Sequence, residues 1–278
     1  MRRIYIIPNA ITAFGLTCGL FVIFKTSVAD PMRDLFSILQ ASAILLLIAA
    51  VADLADGAVA RLIGAQSDFG GYFDSLADAV TFGVAPPLLM LKSLSGGELG
   101  RLVTFFVIIA AMVYSLCGVL RLVRFNVKSM TKESTSSKKK EKKHFTGLPI
   151  PAAAAASVSM SLILLSAPVE SFWGPSIVVR AWILIVAMIV LGYCMVSRWK
   201  FPSVKALHFR VPSFYLILSI GIAAVVILYG IVDYFAEAFF IVSWLYLLVA
   251  WSLSLIRLIA GKRSKTLVDF EPEEEDEV

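Results

Sequence analysis

Eight apolar runs, each of about 20 residues and mostly separated by short polar loops, leave this 278-residue chain one class of fold. They fall near 10–26, 34–63, 68–92, 101–124, 149–167, 178–196, 211–232 and 237–258. A helix of that length crosses a hydrocarbon core of about 30 Å, and inside lipid its backbone polar groups are satisfied within the segment. The expected fold is all-α, a polytopic transmembrane bundle of about eight spans. Composition agrees, because 59% of residues are hydrophobic and 16% are charged, whereas a soluble domain carries about 25% charged residues. A soluble enzyme is excluded.

The first run follows Met1-Arg2-Arg3 and ends near Ser27-Val28-Ala29, an outline that a cleaved signal peptide would share. Its apolar stretch continues to Phe24 and is interrupted early by Pro8 and Asn9, which favours a retained helix starting at the membrane surface. With a cytoplasmic N-terminus, 20 of the 25 Lys and Arg residues fall on the cytoplasmic side, leaving Lys25, Arg33, Lys92, Arg101 and Arg180 outside. That asymmetry sets the orientation and puts both termini in the cytoplasm. The net charge of +5 then points to anionic lipid rather than nucleic acid.

Cys18, Cys117 and Cys194 lie in separate apolar runs with no C-x-x-C pair, so they are expected as small core residues. His144 and His208 have no partner at ligand spacing. The tryptophans, Trp173, Trp182, Trp199, Trp244 and Trp251, are expected as interfacial anchors. Residues 1–232 read as the main membrane domain, 233–262 as an additional C-terminal transmembrane helix, and 263–278 as a disordered acidic tail. Within the first, 127–145 carries Lys138, Lys139, Lys140, Lys142 and Lys143 and is expected to be a mobile basic cytoplasmic loop.

Asp53, Asp56, Asp74 and Asp78 interrupt the second and third runs, and ionisable residues at membrane depth are costly enough to mark function. Asp53, Asp56, Gly57, Ala60 and Arg61 stand at i, i+3, i+4, i+7 and i+8, one face of a helix. Gly70, Asp74 and Asp78 share a face of the next. Gly64 suits a left-handed helix end, and Ser67 or Asp68 suits the following N-cap, so the two helices form an antiparallel hairpin. About its turn Asp53 is level with Asp78 and Asp56 with Asp74, the two levels lying about 5 Å apart. Four carboxylates so placed repel one another unless they hold divalent cations, for which oxygen ligands suit Mg²⁺, Mn²⁺ or Ca²⁺. The second helix, at about 45 Å, outruns the hydrocarbon core, so the cluster lies at the cytoplasmic boundary. A water-soluble substrate could meet a lipid there. Carboxylates lining a cation translocation path are the reading from a different class, although transport would spread them over several helices.

Residues 53 to 78 read D-L-A-D-G-A-V-A-R, eight residues, G, three residues, D, three residues, D. This resembles the CDP-alcohol phosphatidyltransferase signature at every fixed position. Within that family, F-D-S-L-A-D-A-V-T-F-G-V-A-P from Phe73, L-R-L-V-R-F-N from Leu120 and F-T-G-L-P-I-P-A-A-A from Phe145 are similar to the membrane-embedded phosphatidylserine synthases. The phosphatidylglycerophosphate branch typically has proline and lysine where Ser75 and Ala79 stand here. The resemblance covers about residues 1 to 230 and says little about the last helix.

The resemblance implies transfer of the phosphatidyl group of CDP-diacylglycerol to L-serine, with glycerol 3-phosphate or inositol phosphate as acceptor in sister enzymes. It implies that Asp53, Asp56, Asp74 and Asp78 bind two divalent ions, Mg²⁺ or Mn²⁺, and that Asp78 is the catalytic base. Asp56, Gly57, Ala60, Arg61 and Gly70 match positions that hold the CDP portion, with Asn9 and Thr12 as further substrate contacts. Arg121, Arg124 and Asn126 are candidates for a phosphate or the serine carboxylate. A homodimer in a bacterial-type inner membrane, with its active site on the cytoplasmic face, is also implied.

Overall fold

A computed structural model describes residues 6–30, 34–64, 67–134, 147–172, 174–197 and 234–260. The expected span at 211–232, most of the basic loop, His144, His208 and the acidic tail lie outside the described residues. Among the described residues the chain is helical throughout, and six segments are long and apolar enough to cross a membrane, one of them, Asp68–Ser93, made of two consecutive helices.

The first helix, α1 (Ile6–Val28), packs along α2 (Leu35–Leu62) and reaches α3 (Asp68–Thr81). Asp34 caps α2, accepting from Ser37 Oγ at 2.6 Å and Ser37 N at 3.3 Å, and these bonds hold its carboxyl below the usual carboxylate range. α2 has 28 residues and is about 42 Å long. Gly64 at φ 62° closes it, and Ser67 caps α3 by accepting from Gly70 N at 3.1 Å. The hairpin read from the sequence is present.

The third apolar run is not one helix. It breaks after Thr81 and resumes as α4 (Ala85–Ser93). Pro86 and Pro87 carry no N–H, so the carbonyls four residues back, Phe82 and Gly83, lose their helical donors. Both are recovered from α5 (Arg101–Ser134), where Tyr114 Oη donates to Phe82 O at 3.2 Å and Ser115 Oγ to Gly83 O at 2.8 Å. The break is thus a designed joint between two helices, with its polar groups paired. At the far end of α4, Lys92 Nζ donates to Ala29 O, just past the end of α1.

The fifth run also differs from its expected 149–167. α6 (Ile150–Ile163) has 14 residues and spans about 21 Å, short of the hydrocarbon core. Pro149 is its N-cap and Pro151 lies in its first turn, so the prolines start the helix rather than kink it. Its length suffices because it is enclosed by protein, touching α2, α4, α8 (Ile177–Val196) and α9 (Phe235–Ala260). Its buried Ser157, Ser159 and Ser161 return their hydroxyls to carbonyls of their own helix at 3.0 to 3.1 Å. A turn then leads to the short α7 (Ala167–Phe172).

Gly147, at φ 87°, brings the start of α6 against the end of α8, where a Cβ would stand 2.5 Å from Met195 O. Trp244 differs from the interfacial reading, because its Nε1 donates to Ala156 O at 3.2 Å and ties α9 to the central helix. Cys18 and Cys194 are buried and all three cysteines are free, as their spacing implied.

Candidate active site

The caps that close the α2–α3 turn fix the register of the two carboxylate faces. Asp53, Asp56 and Asp74 each bring one oxygen into a group whose members lie within 4.8 Å of one another. Asp78 stands outside that triad and lines the same recess, between α1, α2 and α3. Asp53 reaches Asp74 at hydrogen-bonding range and lies close enough to Asp78 for their charges to interact. Hard oxygen donors at this spacing suit a divalent cation of the Mg²⁺, Mn²⁺ or Ca²⁺ class. Among the described residues, Arg121 is the positive charge close to Asp53 and Asp78.

The nucleotide-side candidates separate into two sets. Thr12, expected as a substrate contact, has its Oγ1 2.5 Å from Asp56 Oδ2 and 3.1 Å from Pro8 O. Its single proton goes to the carboxylate, the stronger acceptor, so Thr12 orients Asp56, which is only 4% exposed. Asn9 lies over Gly70, where a Cβ would stand 3.2 Å from Asn9 Oδ1. Gly57, by contrast, faces open space, its nearest neighbour for a Cβ being Arg61 Nη1 at 3.7 Å. Close packing against the other described residues therefore does not explain this glycine. Ala60 is half-buried and Arg61 exposed beside it, toward the turn.

The three α5 candidates do not act as one patch. Arg121 lies near enough to Asp53 and Asp78 for their charges to interact, with the phenol of Tyr246, from α9, also close by. Arg124 Nη1 instead donates to Val196 O at 3.2 Å, capping the end of α8. Asn126 Nδ2 donates to Ser75 Oγ at 3.0 Å, next to Asp74 in the chain, and Ser75 is also within 3.0 Å of Gly71 O. Ser75 and Tyr246 were not candidates from sequence. Ser75 stands where the sister branch has proline, a visible signal, but its partner is 51 residues away. Nothing in the last helix marked Tyr246.

Comparison with known proteins places the chain in a family. Residues 5–193 match the family model for CDP-alcohol phosphatidyltransferase. A Bacillus subtilis protein named CDP-diacylglycerol–serine O-phosphatidyltransferase is 31% identical over 199 residues, 72% of this chain and 91% of its own length. A Helicobacter pylori protein of the same name is 30% identical over 225 residues, 78% of this chain and 81% of its own. One from Methanocaldococcus jannaschii, again so named, is 28% identical over 203 residues, 73% of this chain and 77% of its own. With its four signature aspartates lining one recess and the family match spanning both helices that carry them, this chain belongs to the CDP-alcohol phosphatidyltransferase family.

Proposed function

We propose that this protein is a phosphatidylserine synthase, transferring the phosphatidyl group of CDP-diacylglycerol to the hydroxyl of L-serine and releasing CMP. The observation that carries the reading is the convergence of Asp53, Asp56 and Asp74 within 4.8 Å, with Asp78 on the same recess. The names of the relatives supply the acceptor, since the three described above are all serine O-phosphatidyltransferases.

In this reading Asp53, Asp56, Asp74 and Asp78 hold two divalent ions, Mg²⁺ or Mn²⁺. Bound there, they supply charge neutralisation for the diphosphate, the main need of phosphoryl transfer. Asp78 takes the proton of the serine hydroxyl, whose oxygen forms the new bond to phosphorus as the bond to CMP breaks. Gly57 leaves the backbone of α2 open for the CDP portion, with Ala60, Arg61, Gly70 and Asn9 lining its approach. Thr12 keeps Asp56 in one orientation. Arg121 lies near Asp53 and Asp78 and is placed to pair with the phosphate or the serine carboxylate. Arg124 and Asn126 support it indirectly, by tying α5 to α8 and to α3.

The positive-inside asymmetry supports an active site on the cytoplasmic face of a bacterial-type inner membrane, and we carry the homodimer as part of the same proposal. Incorporation of labelled L-serine into lipid by the purified protein tests the reading. It is expected with CDP-diacylglycerol and Mn²⁺ or Mg²⁺, and is expected to stop when a chelator removes the metal. Serine incorporation that survives chelation would count against the metal site.

A further inference from the structure

The recess does not end at the carboxylates. Thr81 lies three residues beyond Asp78 on the same face of α3 and lines the same space, together with Gly15, Ala49 and Ala77. It is 2% exposed, and its Oγ1 has no hydrogen-bonding partner among the described residues. A threonine inside a helix commonly returns its hydroxyl to the carbonyl four residues back, as Thr17 does to Ala13 O at 2.7 Å. Thr81 turns its hydroxyl toward α1 instead, and Gly19 makes room for it: a Cβ there would stand 2.4 Å from Thr81 Oγ1. Valine has the same shape and would fill this position without burying a polar group. The hydroxyl therefore calls for a use.

We propose that Thr81 is a positioning residue for Asp78, acting through one water held between its hydroxyl and the Asp78 carboxylate. Residues three apart on one helix face have Cβ atoms about 5 to 6 Å apart, a gap between short side chains that a bridging water spans. Thr81 and Asp78 line the recess alongside the small residues Gly15, Ala49 and Ala77, and they supply the polar partners a buried water needs. Thr81 donates to the water, and the water donates to one Asp78 oxygen. The remaining lone pairs of the Asp78 carboxylate are left for the acceptor hydroxyl and the metal site. This inference rests on the reading of Asp78 as the base.

The test compares Thr81→Val and Thr81→Ser in the purified full-length protein in detergent, reading kcat, KM for serine and the thermal unfolding midpoint. Losing an outer partner of this kind typically costs about 10- to 100-fold. Thr81→Val is expected to lose kcat on that scale with KM for serine unchanged and no rise in midpoint, while Thr81→Ser keeps the wild-type kcat. A valine variant with wild-type kcat and a raised midpoint overturns the proposal, because that is how a buried hydroxyl with no use behaves. Asp78→Asn, measured alongside, separates the two levels. If it keeps full activity the base assignment itself fails; if it is inactive while Thr81→Val is wild-type, only the water bridge fails.

Discussion

Thr12→Val removes the hydroxyl that stands 2.5 Å from Asp56 Oδ2 and keeps the shape of the side chain. Thr12 is 7% exposed and Asp56 4%, so bulk water does not readily replace the lost bond. A hydrogen bond to a charged group contributes about 1.5 to 3 kcal/mol. Outer partners of metal ligands typically change metal affinity by about 10- to 100-fold, or about 1.4 to 2.8 kcal/mol, so the two scales agree. Asp56 keeps the Gly57 amide as a second donor, which places the expected loss at the lower end. The variant should therefore need about tenfold more metal for half-maximal CMP release, and Thr12→Ser should behave as wild type. Titrating Mn²⁺ into the purified protein at saturating CDP-diacylglycerol reads this directly. Unchanged metal dependence with a raised KM for CDP-diacylglycerol would refute the reasoning and return Thr12 to the nucleotide-contact role that the sequence resemblance implied.

Asp78→Asn should abolish turnover while the unfolding midpoint stays near that of the wild type, and retained full activity would rule out the base assignment. Asp56→Ala should weaken metal-dependent binding of CDP-diacylglycerol, which a binding titration at limiting metal would detect; unchanged binding there would remove Asp56 from the ligand set. Tyr114→Phe leaves Phe82 O without its donor and should lower stability by about 1 to 3 kcal/mol in a denaturant or thermal series. A neutral result would mean that the joint between α3 and α4 does not need this bond.

The hairpin was legible because its signals are local. Gly64 and Ser67 mark the helix ends on either side of the turn, and the carboxylate spacing fixes which faces meet. What the sequence withheld depends on distance along the chain or on surroundings. The Thr12–Asp56 contact joins residues 44 apart, and the Ser75–Asn126 pair joins residues 51 apart, so neither leaves a pattern within one segment. Pro86 and Pro87 were visible, yet an apolar run long enough to span reads as one helix until a neighbour is seen holding the freed carbonyls. α6 is short for a related reason. Apolar composition reports that a helix is buried, and lipid and protein produce the same composition. Arg121, Arg124 and Asn126 stood together by proximity in sequence, but Asn126 lies two residues past Arg124 on a different face, and Arg121 and Arg124, one turn apart on a shared face, meet different neighbours along the helix.

The most direct test of the central claim is CMP release by the purified protein in detergent with CDP-diacylglycerol and Mn²⁺ or Mg²⁺, comparing L-serine with glycerol 3-phosphate and inositol phosphate. Metal-dependent release with serine alone is the predicted result. Release only with another acceptor would leave the carboxylate site standing and contradict the serine assignment, and no metal-dependent release from folded protein would contradict phosphatidyl transfer itself.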